Sequence, residues 1–438
     1  MGRDKLITSA PRRFVKLGGL VGRVGASMLG ERVRDIARSD IEKKAQKTEA
    51  LVRNAKRIVD TLGEMRGAAM KVGQMLSLHE GILPPEVAEI LRLLQKKAPS
   101  VPFEVMQYEV QGQISNYDEV FESIEPEAFA SASIGQVHRA RLRDGRQVAV
   151  KIQYPAIDHI ITADLKNLRT IFQSLLAMVS DVDFEPIWAE VRDRLLEEID
   201  YTQEANNLRR MAELHADIPE VVIPRVVDEA SARGVLTMEF VEGIPPERAC
   251  SEEFSQELRD RWGVVLLELM LRGLLEHRFL HADPNFGNFA FLEDGRIVVY
   301  DFGCVKEPPQ NLAEGYAGVM RAALANRPAD IPEILLRMGL SKGGQEVPTE
   351  LIESYYEIFR DILRADPPYT FGEDDELYDR LFDLGKANIN QASEFDFPKD
   401  IVFIDRSISG HFGNLCKLGS TGPWRDIISK YVDAAVPS

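Results

Sequence analysis

Two short stretches constrain this chain more than anything else in it. They are His281-Ala282-Asp283-Pro284-Asn285-Phe286-Gly287-Asn288 and, a little later, Val299-Tyr300-Asp301-Phe302-Gly303. An Asp, an Asn five residues on, and a second Asp opening an Asp-Phe-Gly turn are the acidic and amide parts of a phosphoryl-transfer site. Mg²⁺ prefers hard oxygen ligands and keeps several waters, so two protein oxygens and nucleotide phosphates complete its shell. On this reading Asn288 and Asp301 hold the metal, and Asp283 orients water or accepts a hydroxyl proton. The 18 residues from Asp283 to Asp301 leave room for a loop, a short hairpin (288–291 and 297–300, turning at Glu293-Asp294-Gly295) and the metal-binding turn. Asp-Phe-Gly alone is weak evidence. Both pieces, in order and at this spacing, are strong.

At 438 residues, 45% hydrophobic and 28% charged, the chain has the length and apolar content for one large two-lobed domain or two domains. No apolar run approaches the ~18 residues of a membrane span, and no apolar stretch of signal-peptide type follows the first basic residues. Cys250, Cys304 and Cys416 are scattered without CxxC spacing, which points to a reducing compartment and no zinc site. Cys304, next to the Asp-Phe-Gly turn, reads as a small buried apolar residue rather than a redox handle. Charge is unevenly placed. The first 50 residues hold 12 Lys/Arg and 6 Asp/Glu, a net +6, which leaves −23 for the rest of a chain whose total is −17. So acidic a body argues against nucleic acid as the main partner. The basic start interleaves Arg12, Arg13, Lys16 and Arg23 with Phe14, Val15, Leu17 and Leu20. It reads either as an amphipathic segment for an anionic membrane surface or as a solvated basic helix on the protein body.

Apolar spacing predicts a helix over 41–78, containing Lys71-Val72-Gly73-Gln74 and stopped by Pro84-Pro85, and a second over 103–114. The period then changes to strands at 129–134, 136–142 and 147–153, with Asp144-Gly145 as a hairpin turn. Helices return at 157–179 and 187–214, strands at 221–227 and 235–240, and the chain is mostly helical after Gly243. The expected fold is α+β and protein-kinase-like, with a small sheet-rich N-lobe and a helical C-lobe. The expected organisation is a basic segment (1–40), a helical extension (41–125), an N-lobe with an inserted helix (126–242) and a C-lobe (243–438), hinged at 238–243.

Val148-Ala149-Val150-Lys151 ends a strand and fits the kinase lysine that contacts the α- and β-phosphates. Such a lysine needs a helical carboxylate. The acidic run Glu197-Glu198-Ile199-Asp200-Tyr201-Thr202-Gln203-Glu204 supplies candidates, and the residues alone leave the pair unassigned. Where a kinase has a glycine-rich loop over the phosphates, this chain has Ala130-Ser131-Ala132-Ser133-Ile134-Gly135. Small residues keep the close approach, but the added Cβ atoms restrict the backbone and alter nucleotide preference. Glu239 and Val241 on the connecting segment complete the nucleotide-binding set. Ala282 stands where the H-R-D arginine belongs, and no A-P-E follows the Asp-Phe-Gly turn, so the usual peptide-docking segment is not evident. His281 is read as structural rather than catalytic, as are His79 and His138.

Together the KxGQ of Lys71–Gln74, the alanine-rich loop, VAVKIQYP, the ExD of Glu198 and Asp200, TMEFVEG and HADPNFGN closely resemble the AarF/UbiB/ADCK atypical kinases, over about residues 8 to 420. The resemblance implies that Lys151 pairs with Glu204 and the nucleotide phosphates. It implies that Lys71, supported by Gln74, pairs with Glu198 in the cleft where a kinase holds a peptide, the N-terminal helical extension crossing that cleft. It also implies ATP or ADP with Mg²⁺ on Asn288 and Asp301, with Asp283 as the base or water-orienting residue. The family's loop usually has alanine at Ser131, so nucleotide preference is where this chain departs. The early Pro11…Gly18-Gly19-Leu20 segment is similar to the membrane-proximal extension of the branch that supports ubiquinone biosynthesis. Three functions compete: a Mg-dependent ATPase at a membrane surface serving prenylated-quinone biosynthesis, a phosphotransferase acting on a small molecule or protein, and a nucleotide-gated lipid-binding scaffold. Expected partners are nucleotide, an anionic membrane or prenylated lipid, and quinone-biosynthesis proteins. The expected location is the bacterial cytoplasm, peripheral at the inner membrane.

Overall fold

The computed structural model describes residues 101–132, 134–155, 198–339, 367–372 and 399–435, with scattered positions between 157 and 196 and between 352 and 363. They divide into two compact units. One runs to Thr202 and includes Val227–Met238; the other comprises Gln203–Val226 and the chain from Glu239 on. The expected basic segment and the KxGQ helix, with Lys71 and Gln74, lie outside the described residues.

In the first unit α1 (Phe103–Gln113) buries Met106 and Val110, four residues apart on one face. After the single turn of α2 (Tyr117–Val120) come β1 (Phe121–Ala132), β2 (Gly135–Leu142) and β3 (Gln147–Gln153). β4 (Val221–Val222) belongs to the other unit, and β5 (Val235–Glu239) closes a four-stranded sheet of order β1-β2-β3-β5. Val148, Val150 and Ile152 alternate into a core shared with α1, Phe121 and Val235. β1 starts eight residues before the expected strand, in a Glu-rich stretch containing Pro126. Proline cannot donate to a ladder, but β1 is an edge strand and its register slips between Ile124 and Ala128, around that proline. The β2–β3 turn uses Gly145 at φ +92°, a backbone conformation that favours glycine.

The helix expected over 187–214 is interrupted at Ile199-Asp200, and α3 (Tyr201–Leu214) starts afresh. Asp200 explains the restart: its Oδ1 accepts from Thr202 N at 3.0 Å, an N-cap that favours non-helical backbone at its own position. Asp200→Ala should therefore cost about 1 kcal/mol, read as a shift in the denaturant midpoint.

The second unit is helical around a small sheet of order β4-β8-β7, built from β7 (Phe289–Phe291) and β8 (Ile297–Val299) as a hairpin, with β4 parallel to β8. β4 is shorter than expected because Pro224, two residues on, has no N–H to offer. A second pair, β6 (Leu280–His281) with β9 (Val305–Lys306), is antiparallel. After the single turn of α4 (Pro246–Ala249), α5 (Gln256–Leu271) is capped by Ser255, whose Oγ accepts from Leu258 N at 3.3 Å. Its Trp262, Leu266, Leu269 and Leu271 are all buried. α6 (Gln310–Leu324), α7 (Ile331–Arg337), α8 (Lys399–Leu418) and α9 (Trp424–Ala435) complete the unit. Among the described residues no helix is long and apolar enough to cross a membrane.

Two buried histidines give this unit an acid-sensitive core. Burial pushes His215 down from 6.5 to about 4, with His277 and Arg272 adding to the effect. Burial, then His281, pushes His411 down to about 3. Folded pKa values below the unfolded value mean that the unfolded chain takes up protons first. Stability is then full above about pH 6.5 and is lost as pH falls toward 4. Thermal melts at stepped pH should show that slope, and His215→Phe should flatten part of it.

Candidate active site

The β7–β8 hairpin, turning at Gly295 with φ +94°, carries the metal-ligand candidates at its open end. Phe289 pairs with Val299, and Tyr300 N donates to Asn288 O at 3.0 Å, so Asn288 and Asp301 leave the hairpin from the same end. Asn288 Nδ2 donates to Asp283 Oδ2 at 3.1 Å and to Asp283 O at 3.2 Å. With its nitrogen committed to Asp283, the amide has its carbonyl oxygen left as a metal donor. Asn285 turns the loop by accepting from Gly287 N at 3.1 Å. Asp301 Oδ1 accepts from Gly303 N at 3.0 Å, which fixes one carboxylate oxygen in the Asp-Phe-Gly turn.

His281 is buried at the base of this loop. Its Nε2 donates to Asp301 O at 2.7 Å, and its ring meets Phe302 edge-on at 5.2 Å. That is an anchoring role. Cys304 is half-buried rather than buried as expected, and its carbonyl accepts from Ala282 N at 3.0 Å, joining β6 to β9.

α3 brings Glu204 to the same turn. Glu204 is buried, and a Cβ placed on Gly303 would sit 3.2 Å from Asp301 Oδ1 and 3.9 Å from Glu204 Oε2. Both carboxylates therefore approach Gly303. Asn207, one helical turn beyond Glu204, donates to Phe302 O at 3.0 Å. Sequence reading missed Asn207; its i+3 spacing from Glu204 was the available signal. Glu198 is half-buried at a helical position.

In the first unit Lys151 sits on β3 opposite Val137, buried, with Nζ 5.0 Å from the centroid of the Tyr201 ring. The alanine-rich loop is a tight hairpin rather than an open loop: Ala130, Ser131 and Ala132 end β1, facing Val137, Gln136 and Gly135. Ile134 is buried, and Ser133 lies outside the described residues. A Cβ on Gly135 would overlap the Ile152 carbonyl, so β2 can approach β3 there only as glycine. His138 is buried and its Nδ1 lies 2.9 Å from Glu125 O.

On the connecting segment Glu239 Oε2 accepts from Arg225 N at 3.3 Å, and Val241 O accepts from the Tyr300 hydroxyl at 2.8 Å. Burial, with Glu242 adding, holds that phenol up at about 12, so it stays a donor. Tyr300 thus links the connecting segment to the Asp-Phe-Gly turn. Among the described residues no cluster of three or more His, Cys, Asp or Glu could hold a metal by itself. The oxygen donors of Asn288 and Asp301 suit a hard cation whose remaining ligands come from phosphate and water.

The ABC1 atypical kinase-like domain matches residues 93–334, more than half of the chain. This chain belongs to that family. The zebrafish (Danio rerio) protein named atypical kinase COQ8B, mitochondrial, is 34% identical over 321 residues, 71% of this chain and 50% of the relative. Caenorhabditis elegans atypical kinase coq-8, mitochondrial, is 31% identical over 443 aligned residues, 98% of this chain and 57% of the relative. The ABC1-family chain thus spans little more than half the length of these curated relatives. The solved structure of the Rv3197–erythromycin complex from Mycobacterium tuberculosis is 30% identical with a TM-score of 0.64, covering 91% of this chain and 99% of that one. The kinase-like fold read from the ABC1-family motifs is therefore the fold of this chain.

Proposed function

We propose that this chain is a Mg-dependent ATPase of atypical-kinase type, working at a membrane surface in support of ubiquinone or another prenylated quinone. The observation that carries the reading is the constellation of Asp283, Asn288 and Asp301 on one hairpin and loop, tied together by the Asn288–Asp283 bonds and anchored by His281. Asn288 and Asp301 would hold Mg²⁺, which when bound neutralises phosphate charge. Lys151, in a pair with Glu204, would contact the α- and β-phosphates. Asp283, held by Asn288, would orient a nucleophile, so catalysis would be positioning plus electrostatics. Ala130 to Gly135 would cover the phosphates, and Glu239 and Val241 would meet the base.

Water as acceptor rests on the family resemblance. Lys71 with Glu198 would fill the peptide cleft, and no A-P-E segment follows the turn. The quinone and membrane assignments rest on the resemblance of the N-terminal segment and on its net +6 charge over 50 residues. The intact Asp283 also supports a second reading, transfer to a small hydroxylated molecule, since the same carboxylate serves either acceptor.

The test uses γ-labelled ATP with and without anionic liposomes, counting free phosphate and labelled protein or lipid together. Phosphate release that rises with liposomes is the expected result. Label on an acceptor would make the protein a transferase, and nucleotide binding with neither signal would leave a gated scaffold.

A further inference from the structure

One face of α8 carries three buried polar side chains and runs along the loop that bears Asp283. Residues 407, 410, 411, 414 and 417 recur at three- and four-residue spacing and so share a face. Ser407, His411 and Asn414 on it are each no more than 2% exposed. Ser407 Oγ donates to His281 O at 3.0 Å, where the loop begins, and Asn414 Nδ2 donates to Pro284 O at 2.9 Å, in its middle. Gly410 lets the helix come this close: a Cβ there would fall 2.7 Å from Pro284 Cβ. Further along, the Lys417 ammonium lies 5.7 Å from the centroid of the Phe286 ring.

His411 is buried on this face between Ser407 and Asn414. Its ring meets Phe289 edge-on at 6.0 Å, and neither of its nitrogens has a hydrogen-bond partner among the described residues. His281 Nδ1 is also buried without a partner. The two deficits are complementary. A carbonyl can only accept, so the His281 Nε2 bonded to Asp301 O carries the proton and Nδ1 is a bare lone pair. Neutral His411 has one N–H to give. Burying polar atoms unpaired costs about 1–3 kcal/mol each, so a water that pairs them is favoured.

We infer that α8 is the positioning element of the catalytic loop, with Ser407 and Asn414 fixing its backbone and His411 donating through a water to His281 to hold the tautomer that grips Asp301. The inference rests on the proposed Mg-nucleotide site. None of the three α8 residues touches substrate or metal on this account; each acts through a backbone carbonyl or through His281. Polar residues that orient ligands from behind typically contribute about 10–100-fold to metal affinity or activity.

The experiment uses the full chain, a fluorescent ATP analogue and a Mg²⁺ titration, with ligand-free thermal unfolding measured alongside. Asn414→Asp is near-isosteric but lacks the donor, Ser407→Ala removes one hydroxyl, and His411→Phe removes the proposed N–H while His411→Gln keeps one. The expected result is a rise of about tenfold or more in the Mg²⁺ needed for half-maximal nucleotide binding in the first three, with His411→Gln closer to wild type. The His281 tautomer, read from its ¹⁵N shifts, should lose its single Nε2–H form in His411→Phe. If these variants lower the melting temperature but leave the Mg²⁺ requirement and the tautomer as in wild type, α8 is merely structural and the inference fails. If Asn414→Asp does not fold, Ser407→Ala and the His411 pair decide by the same readouts. Asp301→Asn separates the two claims: if it too leaves the Mg²⁺ dependence unchanged, the proposed site itself is wrong.

Discussion

Replacing Asp301 with Asn should reduce nucleotide turnover by about 10²–10³-fold while leaving the protein folded. The asymmetry follows from what each oxygen does. Oδ1 accepts from Gly303 N at 3.0 Å, a bond that an amide oxygen can keep, so the Asp-Phe-Gly turn survives. His281 holds the backbone carbonyl of residue 301, which the substitution does not alter. What is lost is the negative charge at the end of the hairpin that Asn288 shares. The buried carboxylate of Glu204, which also approaches Gly303, cannot replace it if it is committed to Lys151 as proposed. Matched melting curves with a large loss of phosphate release would support this account. Unchanged turnover would remove Asp301 from the chemistry.

The largest expected effect on stability is Trp262→Ala, about 3–5 kcal/mol. Trp262 is fully buried on α5, 5.0 Å from Phe291 and 5.6 Å from Phe254 between ring centroids. Its Nε1 donates to Leu292 O at 2.9 Å. Truncation leaves a cavity the size of an indole and a carbonyl without its donor, and the two costs add. Phe291 and Leu292 belong to the hairpin that bears Asn288, so loss of nucleotide binding should accompany the loss of stability. Urea unfolding reads the first, and nucleotide titration at the same temperature reads the second. A change under 1 kcal/mol would mean that the hairpin does not lean on α5.

The elements that bear the candidate site residues were the most legible. The β7–β8 hairpin, its turn at Gly295 and the order of Asp283, Asn288 and Asp301 follow from short-range signals: a turn glycine, alternating apolar residues and a metal-ligand spacing. The β2–β3 hairpin was legible for the same reason. What escaped was set by tertiary context. β1 looks too acidic and too proline-bearing for a strand, and only its place at the sheet edge makes it one. The break at Asp200 hides because a capping aspartate inside an acidic run looks like one more solvated charge. Ser407, His411 and Asn414 escaped more completely. On a helix, polar residues at such spacing read as a solvent face, and only their contacts with residues more than a hundred positions earlier in the chain reveal a buried one. The expected pairing of Lys151 with Glu204 rests on family resemblance alone, since an acidic stretch of helix offers several equivalent carboxylates.

The most direct test of the central claim is calorimetric titration of the purified protein with ATP, in excess Mg²⁺ and again in excess EDTA. The account predicts saturable binding in Mg²⁺ that weakens at least about tenfold without it, and that is lost in parallel in Asp301→Asn and Asn288→Ala. Binding of equal strength in both buffers, indifferent to Asp301 and Asn288, would contradict it.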